Sequence, residues 1–114
     1  MRVVRKPLSE EEIRVLAEEV FGDMIKVVVD LRREILVAGG PLHSDGEELL
    51  LDDGSKQADL WGANYFPAKE VGKRTEYTSL INLYHPSNKD TQTIKSLQIR
   101  EQVKAVIARY FGNA

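Results

Sequence analysis

The residues best suited to chemistry lie between positions 42 and 64 of the 114-residue chain. Leu42-His43-Ser44-Asp45 is followed by Glu47 and Glu48 and, after a turn, by Asp59-Leu60-Trp61-Gly62-Ala63-Asn64. An imidazole and several carboxylates in one locality offer nitrogen and oxygen ligands to a divalent metal, with His43, Asp45 and Glu48 as the candidates. On an extended segment His43 and Asp45 point the same way. A metal held there would polarise an ester while a carboxylate acted as base, so one function class is a metal-dependent hydrolase of phosphate esters using His43, Asp45, Glu48 and Asp59. The spacing matches no established metal motif: there is no HExxH, no EF-hand loop, and only two His residues. The plainer reading makes Ser44, Asp45 and Glu47 helix-capping residues and His43 a hydrogen-bonded turn residue.

Asp59, Trp61 and Asn64 form the next candidate group. A Trp–Asn–Tyr surface can stack a ring or line a ligand groove. The competing reading makes Trp61, the single Trp of the chain, a strand's large core residue, with Gly62 admitting another backbone. Other chemistries lack their signatures. There is no G-x-S-x-G elbow to organise Ser44 or Ser79 with His43 or His85, no P-loop and no GxGxxG. Nucleic-acid binding has one handle. Lys95, Arg100, Lys104 and Arg109 fall along one side of the last predicted helix and are able to meet phosphates, with Arg32-Arg33 as an addition. The absence of any recognised nucleic-acid motif makes this the weakest of the function classes.

These groups must be positioned by a small set of elements. Arg2 to Arg5 reads as a short strand closed by Pro7. Ser9-x-x-Glu12 is a capping box, and Ile13, Leu16, Ala17, Val20 and Phe21 then make one helical stripe ending at Gly22. Residues 24–31 alternate as a strand, Arg32-Arg33-Glu34 makes a hairpin connection, and Ile35–Ala38 is its partner. After Gly39-Gly40-Pro41, Ser44-x-x-Glu47 and Gly54 bracket a short helix, with a strand through Leu49–Leu51 as the alternative. Residues 58–66 and 75–84 read as two hairpin-paired strands. Ser96 caps a last helix whose stripe is Ile99, Val103, Val106, Ile107, Tyr110 and Phe111, closed by Gly112. The expected fold is α+β: a two-layer sandwich with an antiparallel four- or five-stranded sheet covered on one face by the N- and C-terminal helices. The other face would then be open in the monomer, a surface for a homo-oligomer.

One domain spanning residues 1–114 suits the length. The chain carries 16 Lys+Arg against 18 Asp+Glu, a formal charge of −2, which gives no global drive toward nucleic acid or an anionic membrane. With no Cys there are no disulfides, thiolate nucleophiles or Cys-held metals. No apolar run approaches the roughly 20 residues of a bilayer span, and with no apolar stretch after Arg2, Arg5 and Lys6 no signal peptide is expected. A cytoplasmic protein without membrane or cofactor is the expectation. Charge is uneven: six acids and one base lie between His43 and Asp59, whereas Lys95 to Arg109 holds four bases and one acid.

Val29-Asp30-Leu31, Glu34-Ile35-Leu36, Gly39-Gly40, Leu42-His43, Asp45, Glu48, Gly54-Ser55, Gln57, Pro67 and Ser79-Leu80-Ile81-Asn82 frame the segment Asp59-Leu60-Trp61-Gly62-Ala63-Asn64. In this pattern the chain resembles a family of small prokaryotic proteins known only as a domain of unknown function. It departs from the family at Ile81-Asn82-Leu83-Tyr84-His85-Pro86, where an Ile-Asn-Ile-Arg-Pro segment would carry an Arg. The resemblance implies a free-standing domain and no particular activity. The leading expectation is therefore a non-enzymatic binding or protein-interaction module, a homodimer using the open sheet face and the His43–Asn64 region, with His43, Asp45, Glu48, Asp59, Trp61 and Asn64 as ligand-binding residues.

Overall fold

A computed structural model describes all residues from 1 to 114. Five strands, β1 (Arg2–Val4), β2 (Ile25–Asp30), β3 (Ile35–Ala38), β4 (Leu60–Tyr65) and β5 (Thr75–Glu76), form one antiparallel sheet in the order β1-β3-β2-β4-β5. Four helices accompany it: α1 (Glu10–Glu18), α2 (His43–Asp52), α3 (Leu80–Leu83) and α4 (Leu97–Phe111). The α+β class and the antiparallel sheet are as expected from the sequence.

The larger core lies on one sheet face. Ile25, Val27, Val29, Leu36, Ala38, Trp61, Ala63 and Tyr65 meet Ile13, Leu16 and Ala17 of α1 and Val103, Val106, Ile107, Tyr110 and Phe111 of α4. Both helices begin as their sequences dictate. Ser9 and Glu12 make the reciprocal capping box, and Ser96 accepts from the Ile99 N–H. The α1 stripe is shorter than its periodicity suggests. The helix ends at Glu18, and Val20 and Phe21 are exposed in the turn beyond it.

The face expected to be open is covered within the chain, which corrects the proposed oligomer surface. Val28, Ile35, Val37 and Leu60 point to this side and pack with Leu50 of α2, and Leu49 of α2 and Ile81 of α3 lie against them. Val28, Val37 and Leu60 each keep 2% exposure or less. The close approach is possible because residue 46 is glycine: a Cβ there would lie 3.0 Å from Val28 Cγ2 and 3.3 Å from Val37 Cγ1. The helix seats on the sheet through a missing side chain more than through an apolar stripe.

The β2–β3 turn lacks the glycine that tight hairpins favour, and Asp30 supplies an alternative. Its Oδ1 accepts from the N–H groups of Arg32 (2.9 Å) and Arg33 (3.0 Å), while Ser55 Oγ donates to Oδ2 at 2.6 Å. Arg33 extends the network to Ser55 and to Asp53, which also pairs with Arg5. Arg33 first, and then Arg5, hold the Asp53 carboxyl below its ordinary range by hydrogen bonding. The turn still forces Glu34 to a φ of 53°, a left-handed conformation that costs a side-chain-bearing residue about 1–2 kcal/mol. Because the Glu34 side chain is exposed and makes only a 4.0 Å surface pair with Arg109, while its carbonyl accepts from Tyr110 Oη, a Glu34→Gly variant is expected to gain about 0.5–1 kcal/mol. Thermal melts check this; an unchanged or lowered Tm would contradict it.

The segment read as a strand over 75–84 joins the sheet only at Thr75–Glu76, with one isolated antiparallel bridge from Thr78 to Thr93. Ser79 then caps α3 by accepting from the Ile81 N–H. This break matters to the sheet, because β4 lies beyond the reach of β5 along most of its length. Asn82 takes the missing partner's place. Its Oδ1 accepts from the Gly62 N–H (2.9 Å), and its Nδ2 donates to Gly62 O (2.9 Å) and Gln92 O (3.1 Å). One side-chain amide thus satisfies a strand edge as a neighbouring strand would. Gly62 is required for it: a Cβ at 62 would fall 2.4 Å from Ser79 Cβ.

Candidate functional site

Strand alternation separates the sequence-predicted residues onto two sheet faces. Trp61 points to the α1/α4 side and is buried in the larger core, its ring stacked on His85 with centroids 3.7 Å apart and planes at 18°. His85 is fixed from both ends. Ser87 N–H donates to Nδ1 (3.1 Å), so Nε2 carries the hydrogen and donates to Ala58 O (2.9 Å). Trp61 is therefore the core residue of the plainer reading. The partner it stacks on was legible only as a possible triad member.

Asp59 is engaged by Arg32, Nε to Oδ2 at 3.1 Å. Glu48 is exposed on α2. Asp45 is half-buried in the first turn of the same helix. No three His, Asp or Glu side chains of the chain come close enough together to hold a metal ion. The candidate ligand set His43, Asp45 and Glu48 does not converge because 43–52 is helical. The 43/45 spacing that aligns side chains on a strand turns them about 200° apart on a helix.

His43 and Asn64 are brought together. Asn64 points to the α2 side of β4, directly across the β2–β4 ladder from Lys26. His43 is the first residue of α2, and its Nε2 donates to Ala63 O at 2.8 Å. With that proton placed, Nδ1 is left as an acceptor. The imidazole is 6% exposed, and its pKa is pushed down to about 4. Burial is the main cause. The bond to Ala63 opposes it, the Lys26 charge adds to it, and a hydrogen-bonding contact with Asn64 opposes it. His43 is thus neutral at neutral pH.

These residues line a cleft of about 380 Å³ between the start of α2 and α3, with Glu47, Thr78 and Tyr84 among its walls. Asn64 Nδ2 donates to Glu76 Oε1 (2.9 Å) and Thr78 O (3.1 Å), whereas its Oδ1 is buried beside the neutral His43 ring and receives no donor. Burial raises the Glu47 pKa, against a lowering hydrogen bond from Gln57. Leu42, Leu80 and Tyr84 stand at the rim with 56%, 54% and 74% exposure. Sequence reasoning missed Lys26 because a single Lys on a strand's polar face carries no signal without knowing which residue it faces. It missed the rim because 75–84 reads as a strand from its side-chain types alone.

Of the basic residues assigned to phosphates, Arg100 Nε donates to Ile94 O and Lys95 Nζ to Lys89 O, both at 2.7 Å. Arg109 lies beside Glu34. No helix is long and apolar enough to cross a membrane.

An antiparallel sheet with helices against it defines an α+β domain, with a polar cleft at the head of α2 as the candidate ligand site. The chain belongs to the family described as protein of unknown function, DUF5674, whose model matches residues 2–110. No curated protein and no solved structure matches the chain.

Proposed function

We propose that the protein is a binding module whose ligand occupies the cleft between α2 and α3. The observation that carries this reading is the cleft at the head of α2, in whose wall Asn64 Oδ1 is a buried acceptor with only the neutral His43 ring beside it. Leaving such a group unpaired costs about 1–3 kcal/mol. The strand position that incurs this cost also lines the cleft, beside an imidazole kept neutral and a Lys with no ion-pair partner. Buried polar groups left unmatched in a concavity suit a ligand that matches them. The apolar rim residues add contact area. With the second sheet face covered by α2 and α3, that face is not invoked as a homo-oligomer surface. The metal-hydrolase alternative has no converging ligand set.

The test is residue-resolved. Isotope-labelled protein is titrated with acetate, inorganic phosphate, ethylamine and acetamide at high millimolar concentration. Amide resonances of residues 42–44, 64 and 78–81 are expected to shift with at least one of the four, while those of α1 stay in place. Shifts that are absent, or scattered evenly over the chain, would end this reading.

A further inference from the structure

We infer a second ligand site, on the opposite sheet face, where the indole N–H of Trp61 reaches solvent beside Arg32. It takes a small monocarboxylic acid. The indole N–H and the Arg32 guanidinium hold the carboxylate, and Leu31 and Ile99 flank the apolar tail. This site is independent of the cleft between α2 and α3.

The unpaired donor is the starting point. Trp61 is 3% exposed, its ring held between the larger core and the His85 imidazole. The indole nitrogen has no acceptor in the chain, yet it is not one of the two unpaired side-chain atoms sealed from solvent, Asn64 Oδ1 and Thr75 Oγ1. The little of Trp61 that stays open therefore includes the one polar atom of its side chain. A Trp buried to this degree ordinarily finds an acceptor for its N–H. Here the acceptor has to come from outside the chain. The ring is not free to turn toward another, because His85 stacks on it at 3.7 Å and is itself fixed by Ser87 N–H and Ala58 O.

The surroundings name the ligand. Trp61 and His85 line a cleft of about 330 Å³ at the end of the sheet where the β2–β3 turn, the start of β4 and α4 meet. Arg32 lines it as well. Its Nε is committed to Asp59 Oδ2 at 3.1 Å, which anchors the guanidinium two residues before Trp61, while its Nη groups are in no hydrogen bond of the chain. The two uncommitted groups are thus both donors, and they call for an oxyanion. A cation finds the cleft's one carboxylate, Asp59, already faced by Arg32. The same pair sets the charge of the anion. Arg32 and Asp59 sum to zero, so a single negative charge gains the guanidinium with little opposition, whereas a dianion such as phosphate meets Asp59 at close range. Leu31 and Ile99 are partly buried against the core and give the cleft apolar walls, and its volume lies at the small end of ligand sites. A carboxylate on a short apolar tail fits both features.

Because Trp61 is the single Trp of the chain, one indole N–H resonance reports on the site. The whole nitrogen-labelled chain is titrated at pH 7 with sodium butyrate, with sodium chloride at matched ionic strength as the control. Butyrate is expected to move the indole N–H resonance downfield and to saturate, while chloride leaves it in place. 1-Butanol, which keeps the tail and lacks the carboxylate, and inorganic phosphate are each expected to bind at least about tenfold more weakly. Arg32→Gln is expected to weaken butyrate by at least about tenfold with its thermal melt unchanged. An indole resonance that stays in place, or that follows chloride equally, would overturn the site. Phosphate binding as tightly as butyrate would overturn the monocarboxylate assignment in favour of a general anion site, and 1-butanol doing so would reduce it to an apolar crevice. Undiminished butyrate binding in Arg32→Gln would overturn the role of the guanidinium. N-acetyl-L-leucine binding more than tenfold tighter than butyrate would overturn the small-acid assignment in favour of a peptide carboxyl terminus.

Discussion

An Asn82→Asp variant is expected to lose about 4 kcal/mol of folding stability, although the two side chains have nearly the same shape. Asn82 is fully buried, and its amide makes three hydrogen bonds to backbone, two of them to the single residue Gly62. A carboxylate keeps the bond from Gly62 N–H and turns the other two contacts into an anion facing the carbonyls of Gly62 and Gln92. Asn82→Ala removes the repulsion but leaves both halves of the Gly62 edge and the Gln92 carbonyl without a side-chain partner, a loss of about 3 kcal/mol. The order wild type, then Ala, then Asp is the informative result. A purely steric role for residue 82 would make Asp the milder change. Urea denaturation midpoints at pH 7, with m-values compared to detect any change in the denatured state, read the order directly. Glu19→Gln, at an exposed position after α1 whose side chain makes no ion pair, should stay within about 0.5 kcal/mol of wild type. A loss below about 1 kcal/mol in Asn82→Asp would mean that β4 does not depend on this amide.

The same residues show where the sequence was legible. α1 and α4 announce themselves because their caps and stripes are local: Ser9 with Glu12, Ser96 with Ile99, and apolar side chains at steps of three and four. The β2–β3 hairpin is visible through its alternation, even with an Asx turn in place of a glycine. What failed depends on long-range contact. Residues 75–84 contain the β-branched and aromatic side chains of a strand, yet Ser79 and Asn82 are drawn into α3 by contacts with Gly62 and Gln92, positions distant in sequence. The second sheet face was assigned to solvent because α2 has one fully buried leucine, Leu50, and seats itself through Gly46. Hydrophobic patterning does not register a helix that packs by omission. Of the six proposed site residues, His43 and Asn64 share the cleft, because an N-terminal helical position and an alternate strand position happen to face each other. Trp61 lies on the opposite sheet face, and Asp59 is engaged by Arg32.

His43 is expected to make the protein acid-sensitive well above the pH at which its exposed carboxylates titrate. Its ordinary pKa of 6.5 is pushed down to about 4 in the folded chain, chiefly by burial. Between these values the unfolded chain binds a proton that the folded chain refuses. The contribution is fully present above pH 6.5, falls as the pH drops through the window, and is exhausted near pH 4. Its total is about 3 kcal/mol, a large share of the roughly 5–15 kcal/mol that holds a domain together. Glu47 works the other way: its raised pKa means the folded chain takes up a proton first, which restores stability as the pH falls. Glu12, held at about 2 by its bonds to Arg2 and Ser9, and Asp53, lowered by Arg33 and Arg5, begin to destabilise as the pH falls into the ordinary carboxylate range, at the acid end of the His43 window. In His43→Gln the amide donates to Ala63 O in place of the imidazole, so fold and contact are retained while the proton is lost. Denaturation at pH 7 and pH 4.5 should show a marked loss in wild type and a loss smaller by about 2 kcal/mol in the variant. Adding Glu47→Gln to the wild type should steepen the loss. Parallel stability–pH profiles for wild type and His43→Gln would show that the imidazole titrates normally, and the neutral acceptor assigned to the cleft would go with it.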